Sequence, residues 1–225
     1  MSKFFRSSIG SKIIMALSGL FLIVFIMIHL LGNLGMFAGR ETFNDYAAFL
    51  HSKPVILWVL RIFLIFAALA HIFSSIRLNA KNRSANGLKY KKKAVVKATL
   101  QSRMMMFGGV TILCFLIYHL AHFTFGFVDP KYINLVNDQG EQDVYNMVIA
   151  GFQNIYIVLF YLLGQFFLGL HLSHGFFSAA QTLGVTQGVP ASIFKVGGCM
   201  VSATIIGLYV SIPLSISLGI ISYVY

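Results

Sequence analysis

Five long apolar runs, separated by short gaps that hold most of the charge, constrain this chain more than any other feature. A helix needs about 20 apolar residues to cross the hydrocarbon core of a bilayer. The runs at 12–37, 54–78, 103–127, 152–180 and 194–219 all reach that length. Charged residues make up 10% of the 225. Soluble domains carry about 25%, so too few are present here to coat a soluble surface. The sequence therefore predicts an all-α integral membrane protein, a single domain over 1–225 with five transmembrane helices.

The net charge of +11 does not point to nucleic acid, because the basic residues sit between spans rather than along a soluble face. Cys114 and Cys199 both lie inside apolar runs and give neither a metal-site spacing nor a disulfide framework. Lys3 and Arg6 ahead of an apolar run look like the start of a signal peptide. The run from Ile13 to Leu31 is too long for a signal core and no small-residue cleavage site follows it, so a retained first helix is expected.

Charge sets the expected orientation. From Arg77 to Arg103 the chain carries nine basic residues and no acid. All six acids (Glu41, Asp45, Asp129, Asp138, Glu141 and Asp143) fall in the first and third gaps. The positive-inside bias then places the N-terminus and the second and fourth gaps in the cytoplasm, and the C-terminus outside. Residues 41–52 mix apolar and polar side chains at helical spacing, which reads as a short amphipathic helix at the outer surface. Residues 138–146 read as a similar segment.

Six of the seven histidines, all but His51, fall within the spans. Ionisable groups there are rare and expensive, and mark function by default. Helix rise gives their depth. His29 lies roughly 25 Å along the first span from its inner end, and His119 and His122 lie about 24–28 Å along the third. His71 is about 9 Å from the inner end of the second span, and His171 and His174 lie late in the inward-running fourth. The spans thus offer an outer pair from the first and third, and an inner pair from the second and fourth. A planar macrocycle held by two imidazoles needs such a pair, one from each of two facing helices. Two levels predict two stacked hemes with four of the five helices bundled around them. No C-x-x-C-H occurs, so the hemes would be non-covalent b hemes. Two imidazoles per iron leave no open position, which suits electron transfer. Depth alone leaves His119 or His122, and His171 or His174, open.

Glycines flank these histidines: Gly32 and Gly35, Gly108 and Gly109, and Gly164, Gly169 and Gly175. Small residues admit either a macrocycle or a neighbouring helix. Arg61, within the second span toward its outer side, needs a partner. A propionate of the outer heme is expected, with snorkelling to the interface as the alternative.

Four segments carry a resemblance: IHLLGN at 28–33, AHIFSSIRL at 70–78, YHLAHF at 118–123 and HLSHGFFSAAQTLG at 171–184. In this order, one per span, they resemble the diheme cytochrome b anchor of succinate:quinone oxidoreductases. The likeness is in particular to the five-helix, single-anchor kind found in menaquinone-using succinate dehydrogenases and quinol:fumarate reductases. The resemblance implies that His29 and His119 hold the iron of the distal heme, and His71 and His171 that of the proximal heme. It selects these over His122 and His174, because related chains lack histidine at those two positions. It leaves His122 and His174 to support the site, for instance by a hydrogen bond to a propionate.

The resemblance also implies a multi-pass protein of the bacterial cytoplasmic membrane. A flavoprotein subunit with FAD, which interconverts succinate and fumarate, and an iron–sulfur subunit would dock on the cytoplasmic face. The basic second gap suits that dock, and equally suits anionic lipid headgroups. A dimer of such heterotrimers is compatible with this reading. The chain itself would be the quinone-reactive subunit, passing electrons between menaquinol or menaquinone and its partners.

Two positions depart from the family pattern. Related fumarate reductases place an acidic proton acceptor for quinol just before the second helix, where this chain has His51 ahead of Lys53 and Pro54. Histidine would serve as such a base near neutral pH. Some members also carry a glutamate two residues before the fourth-helix ligand, thought to let protons accompany electrons across the membrane. That position is Gly169, and no acid lies in any span, so electrons are expected to cross without compensating protons. Two other functions compete: a cytochrome b anchor for another oxidoreductase, such as a hydrogenase or formate dehydrogenase, and a heme-free transporter or scaffold. The broken helices or inverted repeats of many transporters are not evident, and Pro213 is a candidate kink in the fifth span.

Overall fold

In the computed structural model, residues 7–85, 100–137 and 139–224 are described. Asp138 and the central part of the basic second gap lie outside them. The helices are α1 (Ser8–Leu34), α2 (Arg40–His51), α3 (Pro54–Ala85), α4 (Leu100–His119), α5 (Pro130–Ile133), α6 (Val144–Gly151), α7 (Ile155–Thr182) and α8 (Ala191–Ser217). Among the described residues the only extended pairing is an isolated bridge between Val136 and Gln142. Five helices, α1, α3, α4, α7 and α8, are long and apolar enough to cross a membrane. Their flanks expose Leu31, Val55, Phe66 and Met200, each at least two-thirds accessible. An apolar belt of this kind is stable against lipid and not against water.

The helix ends follow local chemistry. The Ser7 hydroxyl accepts from Gly10 N at 2.9 Å to cap α1, and Asn154 does the same for Tyr156 N at the start of α7. Pro54 opens α3, where its missing N–H costs nothing. Gly39, at φ 101°, makes the turn into α2 that a side chain would strain. Pro213 lies inside α8, which continues past it to Ser217.

The packing is uneven, and the unevenness creates the site. α8 packs chiefly on α7, α3 on α1, and α4 on α7, while α1 also crosses α7 and α8. The pairs α1 with α4, and α3 with α7, are not among the closely packed ones. Apolar contacts among Ile23, Leu30, Leu172 and Ile205 tie α1 to α7 and α8. Two polar bonds reinforce them: Tyr209 donates to Ile26 O at 2.7 Å, and Ser202 donates to Gly169 O at 2.6 Å.

The end of the bundle carrying α2 and α6 is called the upper end here. α2 confirms the expected short helix over 41–52. The segment expected at 138–146 instead becomes a helix over 144–151, and it is a buried plug rather than a surface helix. Tyr145 through Gly151 are all buried. VYNMVIAG is apolar around most of its circumference, and such a helix goes inside. A polar lock holds it. Asp143 accepts from Arg40 Nε and Nη2 at 3.0 and 2.9 Å, from Asn44 Nδ2 at 2.9 Å, and from Asn146 N and Nδ2 at 3.1 and 2.8 Å. Burial alone would raise the Asp143 pKa. The bonds from Asn44, Asn146 and Arg40 more than reverse this and hold it below the usual carboxylate range.

Candidate functional site

Imidazoles bridge both of the loosely packed helix pairs. At the upper level His29 of α1 faces His119 of α4, with ring centroids 5.9 Å apart and planes at 80°. At the lower level His71 of α3 faces His171 of α7, at 6.0 Å and 68°. The levels are set by helix rise. On α1, His29 belongs to the upper pair, and Gly19 lies against the His71 ring of the lower pair. On α7, Tyr161 touches the upper pair and His171 belongs to the lower. Ten residues separate the levels on each helix, or about 15 Å.

Each ring is held by neighbours. At the lower level the Met15 carbonyl lies 3.1 Å from His71 Nδ1. A Cβ on Gly19 would come within 3.0 Å of His71 Cε1, so only glycine leaves the ring its place. His171 Nδ1 is buried and has no hydrogen-bond partner among the described residues. At the upper level the Tyr161 hydroxyl lies 3.3 Å from His119 Nδ1 and 3.0 Å from His122 Nδ1. Phe25 stacks on His29 at 5.4 Å, and Asn33 Nδ2 donates to the His29 carbonyl at 2.7 Å while lying 3.3 Å from His29 Nε2. Directly after His119 the chain takes one wide turn over Leu120–Thr124, with Phe125 N donating to Leu120 O at 2.8 Å. Such turns concentrate at functional sites.

The donor set tests what group could sit there. An imidazole nitrogen binds a metal at about 2 Å, and its ring centroid lies roughly 1 Å further on, so two imidazoles on opposite sides of one metal are roughly 6 Å apart. Both pairs have that spacing. Among the described residues no cluster of three or more His, Cys, Asp or Glu side chains could hold an ion. Two protein nitrogens are too few for a bare zinc ion, which takes four ligands, or three and water. They are the complete protein share for an iron whose other four positions come from a macrocycle. The residues therefore fit a heme at each level.

The other expected site residues are distributed as follows. His122 is buried, 4% exposed, against Tyr161. His174 is half-buried on α7, three residues below His171. Arg61 lies ten residues above His71 on α3, at the level of the upper pair, with its guanidinium 5.2 Å from the centroid of the Trp58 ring. His51 ends α2 and is exposed; no hydrogen bond or ring contact joins it to the upper pair. Of the flanking glycines, Gly32 lies against Tyr46, Gly35 against Phe43, Gly164 against Phe115 and Gly169 against Ile206, whereas Gly109 and Gly175 face open space. Tyr161, Gly19 and Asn33 were not foreseen. Tyr161 had a readable signal: a hydroxyl within a span, placed by rise at the height of His119.

No known family, curated protein or solved structure matches the chain.

Proposed function

We propose that this chain is a diheme cytochrome b of the membrane. It would serve as the quinone-reactive anchor of a succinate:quinone oxidoreductase working with menaquinone. The observation that carries the reading is the pair of histidine couples, 5.9 and 6.0 Å apart, at two levels about 15 Å from each other. Two b hemes bound there would supply one-electron exchange without an open iron position. His29 and His119 would hold one, and His71 and His171 the other.

The chain's own groups would orient these ligands. The Met15 carbonyl accepts a hydrogen bond from His71 Nδ1–H and so would leave Nε2 free for the iron, a common way of fixing the tautomer. Tyr161 does the same for His119. Arg61, at the height of the upper pair, is placed to meet a heme propionate. The apolar α1, α7 and α8 contacts exclude water between the levels, which lowers the dielectric around the ligands.

The positive-inside bias makes the upper end the outer one, so the upper pair corresponds to the distal heme. Quinol would react near it, with His51 as a candidate proton acceptor at the surface. Electrons would leave at the lower level toward iron–sulfur and FAD-containing subunits docked on the cytoplasmic face.

The deciding experiment is a reduced-minus-oxidised spectrum of the purified chain with heme extraction, alone and as His71→Ala. Two extractable b hemes per chain, falling toward one in the variant, support the reading. No heme in a folded preparation rejects it in favour of a heme-free scaffold or transporter. Co-purification of a flavoprotein then distinguishes this complex from a hydrogenase or formate dehydrogenase anchor.

A further inference from the structure

Beside the upper pair lies a small polar cavity that the proposed electron path does not use. His122, Phe123, Asp129, Tyr132, Ile133, Met147 and Gly151 line it. Its volume is about 10 Å³, close to the minimum for a single water. His122 is almost wholly buried. Nδ1 meets the Tyr161 hydroxyl at 3.0 Å. Nε2 lies on the Gly151 side, where a Cβ would come within 3.0 Å of it. Asp129 is half-exposed and forms the outer wall. Ring, hydroxyl, ring and cavity therefore run in series from His119 to the upper surface.

We propose that His122 is the proton-exchanging group of the upper site, connected to outer water through this cavity and past Asp129. The inference rests on the heme reading above and deepens it. An electron arriving from quinol adds one negative charge to a dry interior that screens it weakly. His122 takes one proton from outer water, becoming an imidazolium, and returns it when the electron moves on to the lower level. Only an N–H bond forms and breaks. The Tyr161 oxygen has two lone pairs and can accept from His119 Nδ1–H and His122 Nδ1–H together. The titratable groups facing His122 are Asp129 and Tyr132 across the cavity, Tyr161 on α7, His119 across the Tyr161 hydroxyl, and Tyr118 on its own helix, with ring centroids 5.7 Å apart. α6 contributes Met147 and Gly151 to the lining, neither of which titrates. Asp129 is the only carboxylate in the set, and it favours the charged imidazolium.

The test is a redox titration of both hemes in the full-length chain across the neutral pH range, with the upper heme identified by its loss in His29→Ala. The upper potential should fall with rising pH, approaching about 59 mV per unit, the value of a tenfold change for a one-electron couple. His122→Asn should flatten that slope while leaving the lower potential in place. Asp129→Asn should move the sloping range to lower pH, and decides the matter if His122→Asn loses heme. A pH-independent upper potential, a slope that survives His122→Asn, or an unshifted range in Asp129→Asn overturns the proposal. A chain without two hemes overturns the functional reading instead.

Discussion

Arg40 and Asp143, 103 residues apart in the chain, meet through two guanidinium nitrogens on a single carboxylate oxygen at 3.0 and 2.9 Å. The carboxylate is 2% exposed and takes three more bonds from Asn44 and Asn146. It fastens α2 to α6 and thereby fixes the cover over the upper histidines. Replacing Asp143 by Ala removes the acceptor that Arg40, Asn44 and Asn146 share. Loss of one partner of a buried pair costs about 3–5 kcal/mol. Thermal unfolding in detergent should show a marked fall for Asp143→Ala and a smaller one for Asp143→Asn, which keeps an acceptor.

The same carboxylate makes the upper end acid-sensitive. Its pKa is depressed in the fold, so its stabilisation is fully present above the unfolded value of about 3.9. It is lost as pH falls through the lower folded value. Proteolysis of the α2–α6 region should accelerate in that acid window in the wild type. Asp143→Asn should lack this particular acid step.

Gly19 is the floor under His71. A Cβ there stands 3.0 Å from the imidazole, so Ala requires the ring to give by a few tenths of an ångström and Val requires it to leave. Gly19→Val should lose the lower heme and keep the upper one, read as half the extractable heme. Gly19→Ala should keep both, with a shifted lower potential. Equal loss of both hemes from Gly19→Val would contradict the separation into two levels.

Gly169 bears on proton movement through the membrane. Its Cβ position lies 3.1 Å from Ile206, and its carbonyl accepts from Ser202 on α8. A glutamate there would push into α8. Without a carboxylate in that position, turnover in proteoliposomes should respond to membrane potential, since electrons would cross uncompensated. Activity indifferent to an applied potential would sink this expectation. The exchange proposed at His122 is with the outer side alone and does not alter it.

Much of this arrangement was legible in the sequence because rise and hydropathy carry it. The five runs became five long helices, with α3 extending further than foreseen, to Ala85, and α4 giving way to the wide turn after His119. Depth alone brought His29 to the level of His119 and His122, and His71 to that of His171 and His174; the structure faces His29 to His119 and His71 to His171. What escaped were features set by azimuth. Tyr161 is one of many aromatic residues in an apolar run, and only the rotation of α7 turns it to both His119 and His122. Gly19 was overlooked because it is distant in sequence from the histidine it serves. The glycines beside the histidines mostly admit aromatic or aliphatic side chains, as at Gly164 and Phe115. α6 was misplaced because its polar flank, Asp143 and Asn146, suggested a wet surface, and Arg40 and Asn44, 103 and 99 residues away in the chain, help satisfy it.

The ten-residue interval shared by α1 and α7 acts as a ruler. On each helix one end of the interval belongs to a histidine of one couple and the other lies against the opposite couple, so the distance between the couples is written in backbone hydrogen bonds rather than in side-chain packing. Ten residues also turn a helix by about 280°, so each presents a different face to each level. Inserting one residue between Gly19 and His29 would rotate one end by about 100° relative to the other. The spacing and the orientation of the two couples are therefore a single covalent quantity, tolerant of many side-chain exchanges and intolerant of any change in length.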